Sequence, residues 1–121
     1  MRIPRLAPLL LALPLAAAAA GGAQERIVSG YYTVGWEVQA FEPCGGGRWW
    51  VADPGPLMAA YRETVEGEYG SVFATVRAQV SSPGFFGHLG MYRRTIAVRE
   101  LIEVRRPAED RSDCRRVVDA E

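Results

Sequence analysis

His88, set in Gly87-His88-Leu89-Gly90, is the chain's one histidine and its one side chain suited to proton transfer near neutral pH. General acid–base work needs a second group to take or supply the proton, and a metal centre needs further ligands; sequence spacing puts neither beside it. Met91, three residues on, offers an imidazole–thioether pair of the kind that suits a soft metal such as copper. Set against this is the plainer reading, a loop histidine that bonds backbone between glycines. Ser29, Ser71, Ser81, Ser82 and Ser112 lack the strained strand-to-helix context of a nucleophile. Glu63, Glu66 and Glu68 read as the solvated end of a helix. The sequence therefore predicts a protein that is not an enzyme and carries no cofactor.

Aromatic residues are the stronger signal. Trp49 and Trp50 are adjacent in an extended run, so their rings point to opposite faces and cannot share one core. The outer one is covered by the tail or by Phe85 and Phe86, or it is exposed, where an indole stacks on sugars or bases or meets a protein. Phe85-Phe86 lies in a glycine-rich loop, and consecutive exposed aromatics imply a use unless they fold back over an open barrel end. Trp49, Trp50, Phe85, Phe86 and His88 are the candidate ligand-binding residues, for a small molecule or a protein. Arg93, Arg94, Arg99, Arg105 and Arg106 stud the last strand with Glu100 and Glu103 among them. Cross-strand ion pairs are the default there, and a surface for an anionic ligand is the sharper alternative.

The start of the chain says where this chemistry would operate. Arg2 and Arg5 form a positive leader, Leu6 to Ala20 is uncharged and almost all Leu and Ala, and Gly21-Gly22-Ala23 supplies small residues. Together they have the three parts of a cleavable signal peptide over residues 1–23. Pro8 and Pro14 weaken the rival reading of a membrane-anchoring helix. No cysteine follows the small residues before Cys44, so the signal is not of the lipoprotein kind, and the expected product is exported, periplasmic or secreted, with no stable membrane span. Cys44 and Cys114 are the only cysteines and both follow the signal, so an oxidising compartment would join them. No CxxC spacing suggests a redox or metal pair. The chain has 14 basic and 14 acidic residues, and loss of Arg2 and Arg5 tips the mature part to a slight acidic excess. Such a domain lacks the positive field that phosphate backbones require, which excludes nucleic acid as the expected partner.

The elements that must position these residues are mostly strands. Tyr32, Val34, Trp36, Val38 and Ala40 alternate with Thr33, Glu37 and Gln39, as a half-buried strand does, with Gly30 and Gly35 as bends or a bulge. Pro43 to Gly47 makes a turn and Arg48 to Val51 the returning strand. Asp53-Pro54-Gly55-Pro56 opens a helix of about three turns with Leu57, Ala60, Tyr61, Thr64 and Val65 on one side and Gly67 as its stop. Val72, Ala74, Val76, Ala78 and Val80 alternate in the next strand. The last carries Tyr92, Ile96, Val98, Ile102 and Val104, with a bulge near Arg99 to Leu101. The tail, Ala108 to Glu121, reads as charged and mobile except where Cys114 ties it. Residues 24–121 thus predict one mainly β domain, a small OB-like antiparallel barrel of strand, strand, helix, strand and long bent strand, monomeric and closed by one disulfide.

Gly30-Tyr31-Tyr32, Glu37, Phe41, Pro43-Cys44, Trp49-Trp50-Val51, the helical Leu57 and Tyr61, Arg77-Ala78-Gln79-Val80 and the late Asp113-Cys114 form a spaced pattern over most of the mature chain. It resembles the C-terminal OB-like domain of the NlpE envelope lipoproteins. That resemblance implies the fold and a Cys44–Cys114 disulfide, and it points to surface sensing, envelope stress signalling or copper tolerance. The lipoprotein cysteine and the domain with the CxxC motif are both missing, so membrane anchoring and the copper-linked part do not carry over. A non-catalytic binding or envelope-interaction module is the expected function; periplasmic copper or zinc sensing or carriage is the alternative.

Overall fold

The computed structural model describes Pro4 and residues 22–119, so the signal expected over residues 1–23 lies almost wholly outside the described residues. The elements run β1 (Gln24–Gly35), β2 (Val38–Pro43), β3 (Trp49–Asp53), α1 (Leu57–Thr64), β4 (Ser71–Val80), β5 (Thr95–Arg105) and α2 (Asp113–Asp119). The strands close in a ring of order β1-β2-β3-β5-β4. Four pairings are antiparallel, but β3 and β5 run parallel. Parallel neighbours need a long crossover, and the chain supplies it through α1 and β4. The mainly β, OB-like ring with one disulfide is therefore as expected, apart from that parallel pair.

The long first strand expected through Ala40 is in fact a hairpin. Gly35 pairs with Val38, so Trp36 and Glu37 form a two-residue turn. Residues paired across a sheet share a face, so such a turn inverts the alternation. Tyr32 pairs with Phe41 and both are fully buried, whereas Ala40 pairs with Trp50 on the other face. Phe41, not Val38 or Ala40, thus continues the inward row of Tyr32 and Val34. No bulge interrupts β1 at Gly30. Its pairing with β4 is unbroken from Gln24 to Thr33, and glycine is needed because a Cβ there would collide with the Glu42 carbonyl of β2.

Inside the ring, Val72, Val76, Val80, Ile96, Val98 and Val51 pack around Tyr32 and Phe41. Each such side chain contributes about 1.5–3 kcal/mol by leaving water. β5 carries two register shifts against β4, which make Arg99 and Ile102 the extra residues. The first is the expected bulge. The second turns Ile102 out of the core row, and it is 48 % exposed. α1 is shorter than expected, because Val65 already adopts an extended conformation. Leu57 and Tyr61 are its buried residues, and the Tyr61 hydroxyl donates to the Gly70 carbonyl at 2.7 Å. Tyr32 meets Tyr61 edge-on, with ring centres 5.2 Å apart. Burial first, and then Tyr61 beside it, push the Tyr32 phenol up to about 12.

Candidate functional site

Two connections meet outside β2 and β3. The β1–β2 turn presents Trp36, with Glu37 held at φ +53°, a left-handed backbone unusual outside glycine. The β4–β5 loop is zipped into a finger: Gly84 N–H donates to the Arg93 carbonyl (2.7 Å), Phe86 N–H to Tyr92 (2.8 Å) and Tyr92 N–H to Phe86 (3.1 Å). At its tip Leu89 also has a positive φ, +57°. Non-glycine residues in that region persist only where surrounding structure enforces them, and they gather at functional sites. Of four such residues among those described, Tyr69 and Arg111 lie elsewhere, whereas Glu37 and the neighbour of Leu89, His88, line one depression.

The finger lies over Trp50. Gly87 approaches so closely, with φ +70°, that a Cβ would sit 2.5 Å from the indole. Tyr92 meets the same indole edge-on at 5.2 Å. Between finger and turn is an open depression of about 470 Å3 lined by Trp36, Glu37, Val38, Arg48, His88, Met91 and Tyr92. His88 Nε2 lies 3.3 Å from Glu37 Oε2, the contact that joins the two connections. The Arg48 guanidinium sits 5.4 Å from the centre of the Tyr92 ring. The surroundings are markedly apolar for a surface: Trp36 is 81 % exposed, Phe85 80 %, Leu89 79 % and Met91 75 %. Exposed apolar groups gathered in this way mark interaction sites more often than chance solvent contact.

The sequence-derived candidates separate in the fold. Trp49 enters the core, where it stacks on Phe41 at 6.5 Å, and Trp50 is half-buried beneath the finger. Opposite faces for the two indoles were expected, and so was one of them lying under a loop. Phe86 is half-buried and pairs with Tyr92, whereas Phe85 and His88 are exposed on the finger. The residue that sequence reading missed as a site is Trp36. It was placed inside a strand because the alternation runs through Gly35-Trp36-Glu37 without an Asn-Gly or Asp-Gly turn signal.

A second polar assembly holds the tail. Asp113, at the start of α2, is fully buried. Its carboxylate pairs with the Arg105 guanidinium, accepts from the Tyr31 hydroxyl at 2.9 Å and accepts from the Ala108 N–H at 3.1 Å. Burial pushes this carboxyl up, but the hydrogen bonds from Arg105, Tyr31 and Ala108 outweigh it and hold the group below the ordinary carboxylate range. The next residue, Cys114, is joined to Cys44 with their Cα atoms 5.2 Å apart. The tail expected to be mobile is thus a short helix fixed by a disulfide and a buried carboxylate; residues 120 and 121 lie outside the described residues.

Neither assembly sets a nucleophile beside a base and an orienting group. Among the described residues no three or more His, Cys, Asp or Glu side chains gather as metal ligands. No described helix is long and apolar enough to cross a membrane, and the disulfide fits an oxidising, exported environment. Comparison of the chain with protein-family models, curated proteins and solved structures finds no match.

Proposed function

We propose that this is an exported, periplasmic or secreted, non-catalytic binding module, and that its ligand docks between the Trp36–Glu37 turn and the β4–β5 finger. One observation carries the reading: the exposed apolar side chains Trp36 and Met91 line a depression that the His88–Glu37 contact crosses, with exposed Leu89 next to His88 on the finger. OB-like barrels bind oligosaccharides and oligonucleotides on this face, with these two loops as its borders. Export and the balanced charge favour the sugar, whose flat apolar face stacks on an exposed indole. The likeness to the NlpE C-terminal domain agrees with an envelope role and rests on the spaced residues that suggested it.

Trp36 is the exposed one of three tryptophans, and comparison with Trp36→Ala separates its emission from that of Trp49 and half-buried Trp50. Titration with chitotetraose and with soluble peptidoglycan fragments is expected to shift tryptophan emission to the blue and to protect it from acrylamide. Neither change is expected in Trp36→Ala. Unaltered emission at millimolar sugar would remove glycans as the ligand, and an equal response in Trp36→Ala would remove this surface. A second reading, copper or zinc handling, is favoured by Glu37 and Met91 lining the same depression as His88. Calorimetric titration with Cu(I), Cu(II) and Zn(II) decides it, and absence of heat at micromolar protein disposes of it.

A further inference from the structure

A second depression, of about 960 Å3, opens beside the clamped tail and reaches the base of the finger at Arg94. Four guanidinium groups line it, those of Arg26, Arg94, Arg105 and Arg116, against two carboxylates, Glu103 and Asp113. One arginine already takes both acids: Arg105 bonds Glu103 at 3.0 Å and pairs with Asp113. Among the described side chains no carboxylate lies within 4.0 Å of Arg26 or Arg94. The hollow thus gathers three further cations, Arg26, Arg94 and Arg116, of which Arg26 and Arg94 have no carboxylate partner among the described side chains.

Two of the three are held in place without spending their charge. The Arg26 guanidinium lies 5.7 Å from the centre of the Trp49 ring. Arg94 donates one N–H to the Ser81 carbonyl at 2.7 Å. Each guanidinium has five N–H donors in a rigid fork, so most remain for an anion. Arg26 and Arg94 also share a smaller adjoining hollow of about 280 Å3 with Ser81 and Ser82. Val28, Trp49 and Phe73 give the larger depression an apolar side, and Ser29 and Thr75, bonded to each other at 2.7 Å, a hydroxyl-bearing one.

We infer that this depression is a binding site for a small organic anion, a carboxylate or phosphate ester with a flat apolar body. The charged end lies on Arg26, Arg94 and Arg116, and the body lies against Val28 and the Trp49–Phe73 side. The site shares no lining residue with the depression beside Trp36. A soluble metabolite and a lipid headgroup can present the same anionic chemistry; the apolar side at Val28, Trp49 and Phe73 favours the soluble one with a flat body.

Amide chemical shifts of the oxidised protein at low salt, followed during titration with phenyl phosphate, test the inference. Saturable shifts are expected at residues 26–29, 44–46 and 116, and about tenfold weaker binding with inorganic phosphate, which lacks the apolar body. In the doubly substituted Arg26→Gln/Arg116→Gln protein, where both positions are exposed, phenyl phosphate affinity is expected to fall by at least about tenfold with no loss of thermal stability. Shifts absent at millimolar phenyl phosphate, or undiminished in that protein, overturn the site. Vesicles of phosphatidylglycerol and of phosphatidylcholine form the other arm. Broadening of the same amides by the anionic vesicles alone, at lower concentration than phenyl phosphate requires, assigns the site to a membrane surface and overturns the soluble ligand.

Discussion

The two regions outside the barrel core are built by opposite means. At the tail, the chain uses its strongest local interactions, a disulfide between Cys44 and Cys114 and a buried carboxylate with three donors, to fix a short helix along β1. At the finger there is no covalent bond. A backbone zipper, a glycine laid over an indole and one His88–Glu37 contact hold out side chains that gain little by being there. Exposed Trp36 and Leu89 add almost nothing to folding, because their surface stays in water. On the proposed function, the difference separates residues that stabilise the fold from residues that would meet a ligand, which would supply the burial the finger lacks.

Substitutions can break this contrast in order of effect. Replacing both cysteines, Cys44→Ser with Cys114→Ser, frees a loop of 70 residues and is expected to lower stability by about 4 kcal/mol in urea unfolding, while Trp36 emission stays as it was. Asp113→Ala removes the acceptor of the Tyr31 hydroxyl, of the Ala108 N–H and of one Arg105 N–H, and is expected to cost about 2–3 kcal/mol by the same assay. The same carboxylate sets an acid limb. Its folded value is depressed, so its contribution is complete above the unfolded value of about 4 and is lost as pH falls below that through the folded value. Stability of the parent protein measured from pH 6 down to pH 2 should therefore fall more steeply than that of Asp113→Ala. Gly87→Ala would force a side chain into the Trp50 ring at a positive φ and is expected to cost about 1–2 kcal/mol, with altered acrylamide access to Trp50. Trp36→Ala should change unfolding stability by less than about 0.5 kcal/mol. A larger loss there would mean that the indole is structural, and the contrast would fail.

Much of the barrel was legible because its signals are local. The alternation of Val72 to Val80 gave β4 its inward row, and Glu100 breaking the phase near Arg99 marked a bulge that the register confirms. Adjacent Trp49 and Trp50 had to part, and they do. The Trp36–Glu37 turn was not legible, since neither residue is a turn former and an inverted phase still looks like alternation until Phe41 is paired with Tyr32. The tail was misread for a different reason. Asp113 sits in a charged stretch 82 positions after Tyr31, and nothing local says that its carboxylate will be buried between Tyr31 and Arg105. The same holds for the finger: His88 found Glu37 through the closure of the ring, not through any spacing along the chain.

Native-state amide hydrogen exchange, residue by residue in the oxidised and the reduced protein, tests most directly whether the clamp and the finger are separate devices. Reduction is expected to release the amides of residues 105–117 and to leave those of Gly84, Phe86 and Tyr92 protected to the same degree relative to global unfolding. Equal loss of protection in the finger would show that the disulfide also holds the recognition surface, and the division of labour between the two regions would not stand.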